Sequence, residues 1–171
     1  LVAVAIVAFA FFGYEMLCVD SSELTMSKMD GSWKELATDD VTIMYQFNKN
    51  GEFTEMRTID DDGTKYGSMC TGTWELSKQG VLGQCISMKY DIESLVVDGH
   101  NEETGEVYDE SDPTVNEMKQ TLYAKYQKEN QEVDKYKGTD KVYGLNNLTF
   151  SNDTIKQNGI SIMVKIGDIN R

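Results

Sequence analysis

Three cysteines, a single histidine and 29 carboxylates are the residues of this chain with chemistry to offer. Cys70 and Cys85 flank a turn signal, at a separation that suits a hairpin disulfide. Side-chain parity speaks against the bridge. Cys70 alternates in step with Tyr66 and Trp74, whereas Cys85 is out of step with Gln84, Ile86 and Met88 and should face the other way. A bulge near Gly72 or Gly83 would be needed to bring the sulfurs together. Without it, Cys70 is a buried hydrophobe and Cys85 a surface thiol. His100 lies between Asp98 and Glu102, a set that could ligate a metal, but a solvated histidine is the simpler reading. Asp60-Asp61-Asp62-Gly63 has the composition of a calcium loop without the alternate spacing that aims ligands at one ion. No metal and no cofactor is therefore assigned. Glu55 and Arg57 alternate in step with Phe53 and Ile59. Facing inward they would be a buried ion pair and a polar anchor for a ligand; facing outward, ordinary cross-strand charges. The outward or end-of-barrel placement is the expectation.

Enzyme signatures are missing. There is no Gly-x-Ser-x-Gly elbow, no phosphate loop, no His-Glu-x-x-His and no Cys-x-x-Cys. So many acids allow many carboxylate pairs, but nothing singles one out. No catalytic residue is assigned. Asn147-Leu148-Thr149 and Asn152-Asp153-Thr154 match the glycosylation sequon and are read as chance matches. Sixteen basic residues against 29 acidic ones give a net charge of −13. That excludes phosphate-tracking nucleic-acid binders, which need clustered Lys and Arg, and electrostatic docking on anionic lipid. One proline and 14 glycines exclude collagen-like and Pro-rich disordered classes.

The elements that must position these residues begin with an uncharged run over residues 1–13. It is short for a membrane span, which takes about 20 apolar residues, and suits the apolar centre of an export signal. Residues 1–18 are read as a signal peptide or membrane-anchor segment, the chain's one link to a membrane. Cys18 stands where a lipoprotein carries its acylated cysteine, although Leu17 and Glu15 occupy positions that prefer small and aliphatic residues. The expected location is outside the cytoplasm: the cell envelope or secreted. Residues 19–28 are read as a polar tether, and 29–171 as one domain. Its length buries about two-thirds of the unfolded surface.

From Val41 the period is two: Val41, Ile43, Tyr45 and Phe47 share a face. Asn50-Gly51 signals a hairpin with a primed turn, and Phe53 to Ile59 is the return strand. After the turn at Asp60 to Gly63, Tyr66, Ser68, Cys70, Gly72, Trp74 and Leu76 fall on one face, and Leu82, Gln84, Ile86, Met88 and Tyr90 form the next inward set. Residues 98–112 hold seven acids and no Lys or Arg, and are read as a mobile, solvated loop. Asp112-Pro113 then opens a helix over 113–137, about 36 Å long. Val115, Met118, Leu122, Tyr126, Val133 and Tyr136 make its apolar stripe, Glu129 interrupts it, and Gly138 is the stop. Leu148 and Phe150, then Ile155, then an apolar edge of Ile160, Ile162, Val164 and Ile166 complete the strands, with turns at Asn152-Asp153 and Asn158-Gly159. The fold class is mainly β, an antiparallel meander closed as a barrel or folded as a sandwich, with one long helix inserted before the last strands.

Gly31-Ser32-Trp33 heads the first strand, Phe47-Asn48-Lys49-Asn50-Gly51-Glu52-Phe53 forms a hairpin, and Gly72-Thr73-Trp74 repeats the Gly-x-Trp pattern. Over residues 29–90, and less over 146–166, the chain resembles lipocalin-like (calycin-type) secreted proteins and lipoproteins of gut Bacteroidetes. The resemblance implies that Trp33 closes one barrel end, its ring packed on apolar neighbours and its N–H paired. Tyr45, Phe47, Tyr66 and Tyr90 fall on inner faces and with Met88 would line an apolar cavity or simply fill the barrel. These five, Trp33 and Trp74 are the candidate ligand-binding residues. The expected function is a non-catalytic, exported protein holding a small apolar or amphipathic ligand. The alternative is a packed barrel whose acidic loop and helix meet a protein partner.

Overall fold

Period-two alternation between glycine- and asparagine-rich turns produces strands here, and the computed structural model describes them through residues 23–36, 41–79, 83–137, 139 and 143–167. The expected signal segment with Cys18, the start of the tether, Leu82 and Gly138 lie outside the described residues. The strands are β1 (Gly31–Glu35), β2 (Val41–Phe47), β3 (Glu52–Asp61), β4 (Thr64–Gln79), β5 (Gly83–Asn101), β6 (Val107–Tyr108), β7 (Leu145–Ser151), β8 (Thr154–Gln157) and β9 (Ile160–Gly167). A short helix α1 (Met26–Met29) precedes them, and α2 (Pro113–Tyr136) separates β6 from β7. The strand order is β4-β3-β2-β1-β9-β8-β7-β5-β6 with β4 also paired to β5, all antiparallel. The hydrogen bonding therefore runs as a ring, with β6 outside it as a flap on β5.

Turn chemistry sets the registers. Asp62 and Gly63 (φ 46° and 81°), Asn152 and Asp153 (50° and 55°), and Asn158 and Gly159 (52° and 82°) take positive φ in both central positions of their hairpins. That is the primed geometry that matches strand twist. Asn50-Gly51 differs from its expected primed turn: only Gly51 has positive φ, at 88°. Gly51 N donates to Asn48 O at 3.0 Å and Asn48 N to Glu52 O at 2.9 Å, a longer loop ending in a left-handed glycine.

The inward faces of β2, β4 and β5 are those the alternation gives: Ile43, Tyr45, Phe47, Ser68, Cys70, Trp74, Gln84, Ile86 and Tyr90 are buried. The last strand corrects the expectation. β9 is no edge, since it lies between β1 and β8. A register shift at Ile155/Lys156 changes its parity, so Met163 is buried while Ile160 and Ile166 are exposed.

A bulge also shapes β5. Asp91 pairs with Thr71 and Val96 with Met69, so the intervening β5 residues bow out of the ladder. The Ser94 hydroxyl fills in, accepting from Thr71 N at 2.9 Å and donating to Asp91 O at 2.6 Å. Beyond the bulge, the acidic stretch expected as a loop is instead a strand end and a return strand. Gly99 pairs with Tyr108 and His100 with Val107. Gly99 permits this, because a Cβ there would stand 3.0 Å from the Tyr66 ring and 3.2 Å from that of Tyr108. The Asn101 side chain stitches the turn by accepting from Glu103 N and Thr104 N.

Asp112 caps α2 by accepting from Thr114 N at 2.9 Å and Val115 N at 3.1 Å, with Pro113 in the first turn. The helix ends at Tyr136 with Lys137 as its cap, and buries Val115, Leu122 and Tyr126. It lies along β5, between the points where that strand meets β7 (Gln84, Ile86) and β6 (Gly99, His100). The Asn130 amide accepts from Tyr90 N and donates to Tyr90 O, both at 2.8 Å, as a neighbouring strand would.

The described part of the tether is not a tether. Leu24 is buried, and the Gln84 amide binds its backbone twice, accepting from Leu24 N at 2.5 Å and donating to Leu24 O at 2.7 Å. Thr25 then caps α1. An apolar residue with a paired backbone docks where a polar linker would stay in water. Below α1, Trp33 is fully buried, donates to Met29 O at 2.8 Å and meets Phe150 edge-on. Phe47, Phe53 and Trp74 fill the same end, and the Trp74 N–H is shared between Asn48 O and Glu52 O.

Cys70 and Cys85 are not bonded to each other. Cys85 sits opposite Ser77, whereas Cys70 is at the Met69/Thr71 register shift. The two are roughly 23 Å apart along β4 at about 3.3 Å per residue, far beyond the reach of a disulfide. Cys85 is not the expected surface thiol. Gln84, Cys85 and Ile86 are buried in succession, so this stretch of β5 is covered on both faces.

Candidate functional site

Two charged residues on the inner face of β3 organise the other half of the ring. Glu55 is 1% exposed, which overturns the outward placement expected for it and Arg57. Parity with buried Phe53 carries Glu55 inside, and the fold supplies its partners. Arg57 Nε donates to Glu55 Oε1, as does the Tyr126 hydroxyl from α2. The Tyr90 hydroxyl donates to Glu55 Oε2 at 2.7 Å. Arg57 Nε also lies 3.3 Å from the Tyr126 oxygen. Both carboxylate oxygens and both phenols are thus satisfied, which a buried charge requires. The Tyr90 and Tyr126 rings stack at 4.1 Å with 14° between planes, and Phe53 meets Tyr90 edge-on at 5.2 Å.

The electrostatics follow from burial and that pairing. Burial alone would raise the Glu55 carboxyl, but the Arg57 hydrogen bond and charge, with the two phenols, outweigh it and hold Glu55 below its ordinary value. Burial and the Glu55 charge push the hydroxyls of Tyr45 and Tyr90 well above the usual tyrosine range, and Tyr126 upward as well. These phenols are hydrogen-bond donors and not bases at neutral pH. Arg57 stays charged: burial opposes the charge and Glu55 restores it.

Beside this cluster opens a cavity of about 700 Å³. Ile43, Met88, Leu145, Ile162 and Met163 give it an apolar wall. Glu35, Arg57, Lys125, Glu129, Asn146 and Gln157 give it polar groups, and Tyr45, Tyr90 and Tyr143 contribute rings. Glu35 Oε2 accepts from the Tyr45 hydroxyl at 3.3 Å. Lys125 and Glu129, one helical turn apart on α2, are 3.8 Å from each other. Burial raises the Glu129 carboxyl, against the pull of Lys125. Gly144 stands on the rim with φ 134°, and a Cβ there would strike Ile86 O at 2.3 Å.

Of the residues singled out by sequence, Tyr45, Met88 and Tyr90 line this cavity. Trp33, Phe47 and Trp74 are packed in the closed end, and Tyr66 lies against Gly99 beside β6; none of these four lines it. Sequence alone offers Arg57 as a ligand anchor only if it faces inward, and gives no site role to Tyr126 or to the pair Lys125–Glu129. The signal was there: a charge interrupting an apolar alternation, at Glu55 in β3 and at Glu129 in α2, marks an inward position that needs a partner. His100 is exposed, and Glu102 pairs with Lys65. Among the described residues no cluster of His, Cys, Asp or Glu could hold a metal, and no helix is long and apolar enough to cross a membrane.

The arrangement offers fixed donors and an apolar wall, and among the described residues that line it no nucleophile is activated by a neighbouring base. Comparison with known protein families, with curated proteins and with solved structures finds no match to this chain.

Proposed function

We propose that the strand ring is a lipocalin-like barrel and that the protein binds a small amphipathic ligand in the cavity beside Arg57, without catalysis. The observation that carries this reading is the cavity itself. About 700 Å³ lies within the range of small-molecule sites, roughly 300–1,000 Å³. It combines an apolar wall with a few convergent polar groups, the usual make-up of such sites. The far end of the ring is filled by tryptophan and phenylalanine, so the ligand is held at the end where Lys125 and Glu129 of α2 line the cavity. Export to the cell envelope, with residues 1–18 as signal or anchor and Cys18 as a lipidation site, belongs to the same proposal and rests on sequence alone.

The test is a native mass spectrum of the protein purified gently from its own host. A retained mass of a few hundred daltons, lost on denaturation, is the expected result. A bare protein mass, together with no change in the spectra of Met88 or Ile162 methyls on addition of host lipid extract, removes the binding reading and favours a module that meets a protein partner. A diacylglyceryl adduct on the peptide carrying Cys18 decides the anchor.

A further inference from the structure

The guanidinium of Arg57 is unevenly used. Its Nε serves Glu55 and Tyr126, whereas neither terminal NH₂ group donates to any acceptor among the described residues. The side chain is 12% exposed and lines the cavity, the space where a ligand would lie. Buried donors left without a partner are costly, and a ligand oxygen removes that cost.

The charge around those donors decides what kind of oxygen. Glu55 already neutralises Arg57 through a direct ion pair. Lys125 and Glu129 face each other across one turn of α2. Glu35 adds a further carboxylate to the wall. The formal sum over these five groups is two positive charges against three negative ones. The site therefore presents guanidinium donors in a field that is not positive. An anionic head would gain the hydrogen bonds but meet Glu35 and Glu55. A cationic head would meet the donors of Arg57 and find no acceptor there. An uncharged head rich in acceptor oxygens gains the hydrogen bonds with neither penalty. Ile43, Met88, Ile162 and Met163 provide the apolar wall for the tail.

We infer that the ligand class is a neutral, oxygen-headed amphiphile, such as an acyl ester of a polyol, seated with its carbonyl or hydroxyl oxygens on the terminal NH₂ groups of Arg57. This rests on the binding function proposed above.

Three probes with the same alkyl length separate the cases: glycerol monolaurate, laurate and dodecyltrimethylammonium, each titrated below its micelle concentration at neutral pH. Calorimetry gives the affinity and the methyl spectra of Met88 and Ile162 place the probe. The expected result is that glycerol monolaurate binds about tenfold tighter than either charged probe, the scale of one charge-assisted hydrogen bond. Arg57→Lys keeps the charge beside Glu55 but loses the planar fork, and should remove most of that preference while far-UV and near-UV spectra stay native. Equal or tighter binding of laurate or of the ammonium probe overturns this inference and leaves the binding function standing. A preference that survives Arg57→Lys overturns the role of Arg57. Failure of all three probes to bind or to shift the cavity methyls overturns the binding function, and the inference with it.

Discussion

Replacing Glu55 by Gln should be the most costly single-atom-scale change in this protein. Gln has nearly the same shape, so the cavity and the stacked rings of Tyr90 and Tyr126 need not move. What is lost is the charge opposite Arg57, whose side chain is 12% exposed while that of Glu55 is 0% exposed. Removing one partner of a buried pair costs about 3–5 kcal/mol, because the other charge is stranded. Arg57 borders an open cavity and recovers some hydration, which places the loss near the lower bound, about 3 kcal/mol. For a chain of this size each kcal/mol moves the melting temperature by about 2–4 °C, giving a drop of about 6–12 °C. The assay is denaturant unfolding followed by the fluorescence of buried Trp33 and Trp74. Two controls make the reasoning exposed to failure. Combining Glu55→Gln with Arg57→Met removes both charges and should restore at least half of the loss, since an apolar replacement of a buried pair is often neutral. The pH dependence has a fixed sign. Glu55 is lowered in the folded state, so its stabilisation is present above its ordinary value of 4.5 and is lost as pH falls below it. The gap between wild type and Glu55→Gln should therefore close on acidification below that value. Glu129, raised chiefly by burial, works in the opposite sense; the Glu55 charge supplies only a smaller part of that rise, so most of it is shared by the two proteins. A loss under about 1 kcal/mol at neutral pH, or a double variant as unstable as the sum of the singles, would refute the buried-pair argument.

Three further outcomes follow from particular contacts. Asn130→Ala leaves the Tyr90 backbone N–H and C=O without their helix partner, at a cost of about 1–3 kcal/mol, and the Tyr90 amide should be the site whose hydrogen exchange accelerates most. Gly72→Ala places a Cβ 2.6 Å from the Phe53 ring and 2.3 Å from Lys89 O; overpacking of that kind costs about 1–3 kcal/mol, read as a lower unfolding midpoint with an unchanged slope. Cys70 and Cys85 are buried thiols, each raised by burial, so peptides carrying them should be labelled by a thiol reagent only when the protein is unfolded; rapid labelling of the native protein at either would contradict their placement.

Which residues alternate, where most of the turns fall and where the helix begins can be read from the residues alone. Those features are local. Asp62-Gly63, Asn152-Asp153 and Asn158-Gly159 are among the residues that best tolerate positive φ, and Asp112-Pro113 satisfies a helix start with its own side chain. The resulting inner faces of β2, β4 and β5 were legible for the same reason, since period-two burial needs no knowledge of the partner strand. The rest depends on contacts between distant parts of the chain. Bulges at Asp91–Val96 and at Ile155/Lys156 changed parity without a signal in composition, which moved Met163 into the core and Ile160 out of it. The acidic stretch became a hairpin because Gly99 lets Tyr66 and Tyr108 close over it, a contact between residues far apart in the chain. The site was hidden most completely. Glu55 is tolerable inside only because Arg57, Tyr90 and Tyr126 arrive from β3, β5 and α2 to neutralise and hydrogen-bond it. A charge on an inward alternation can be read from one strand; the groups that stabilise it there are fixed only when the ring of strands and the helix come together.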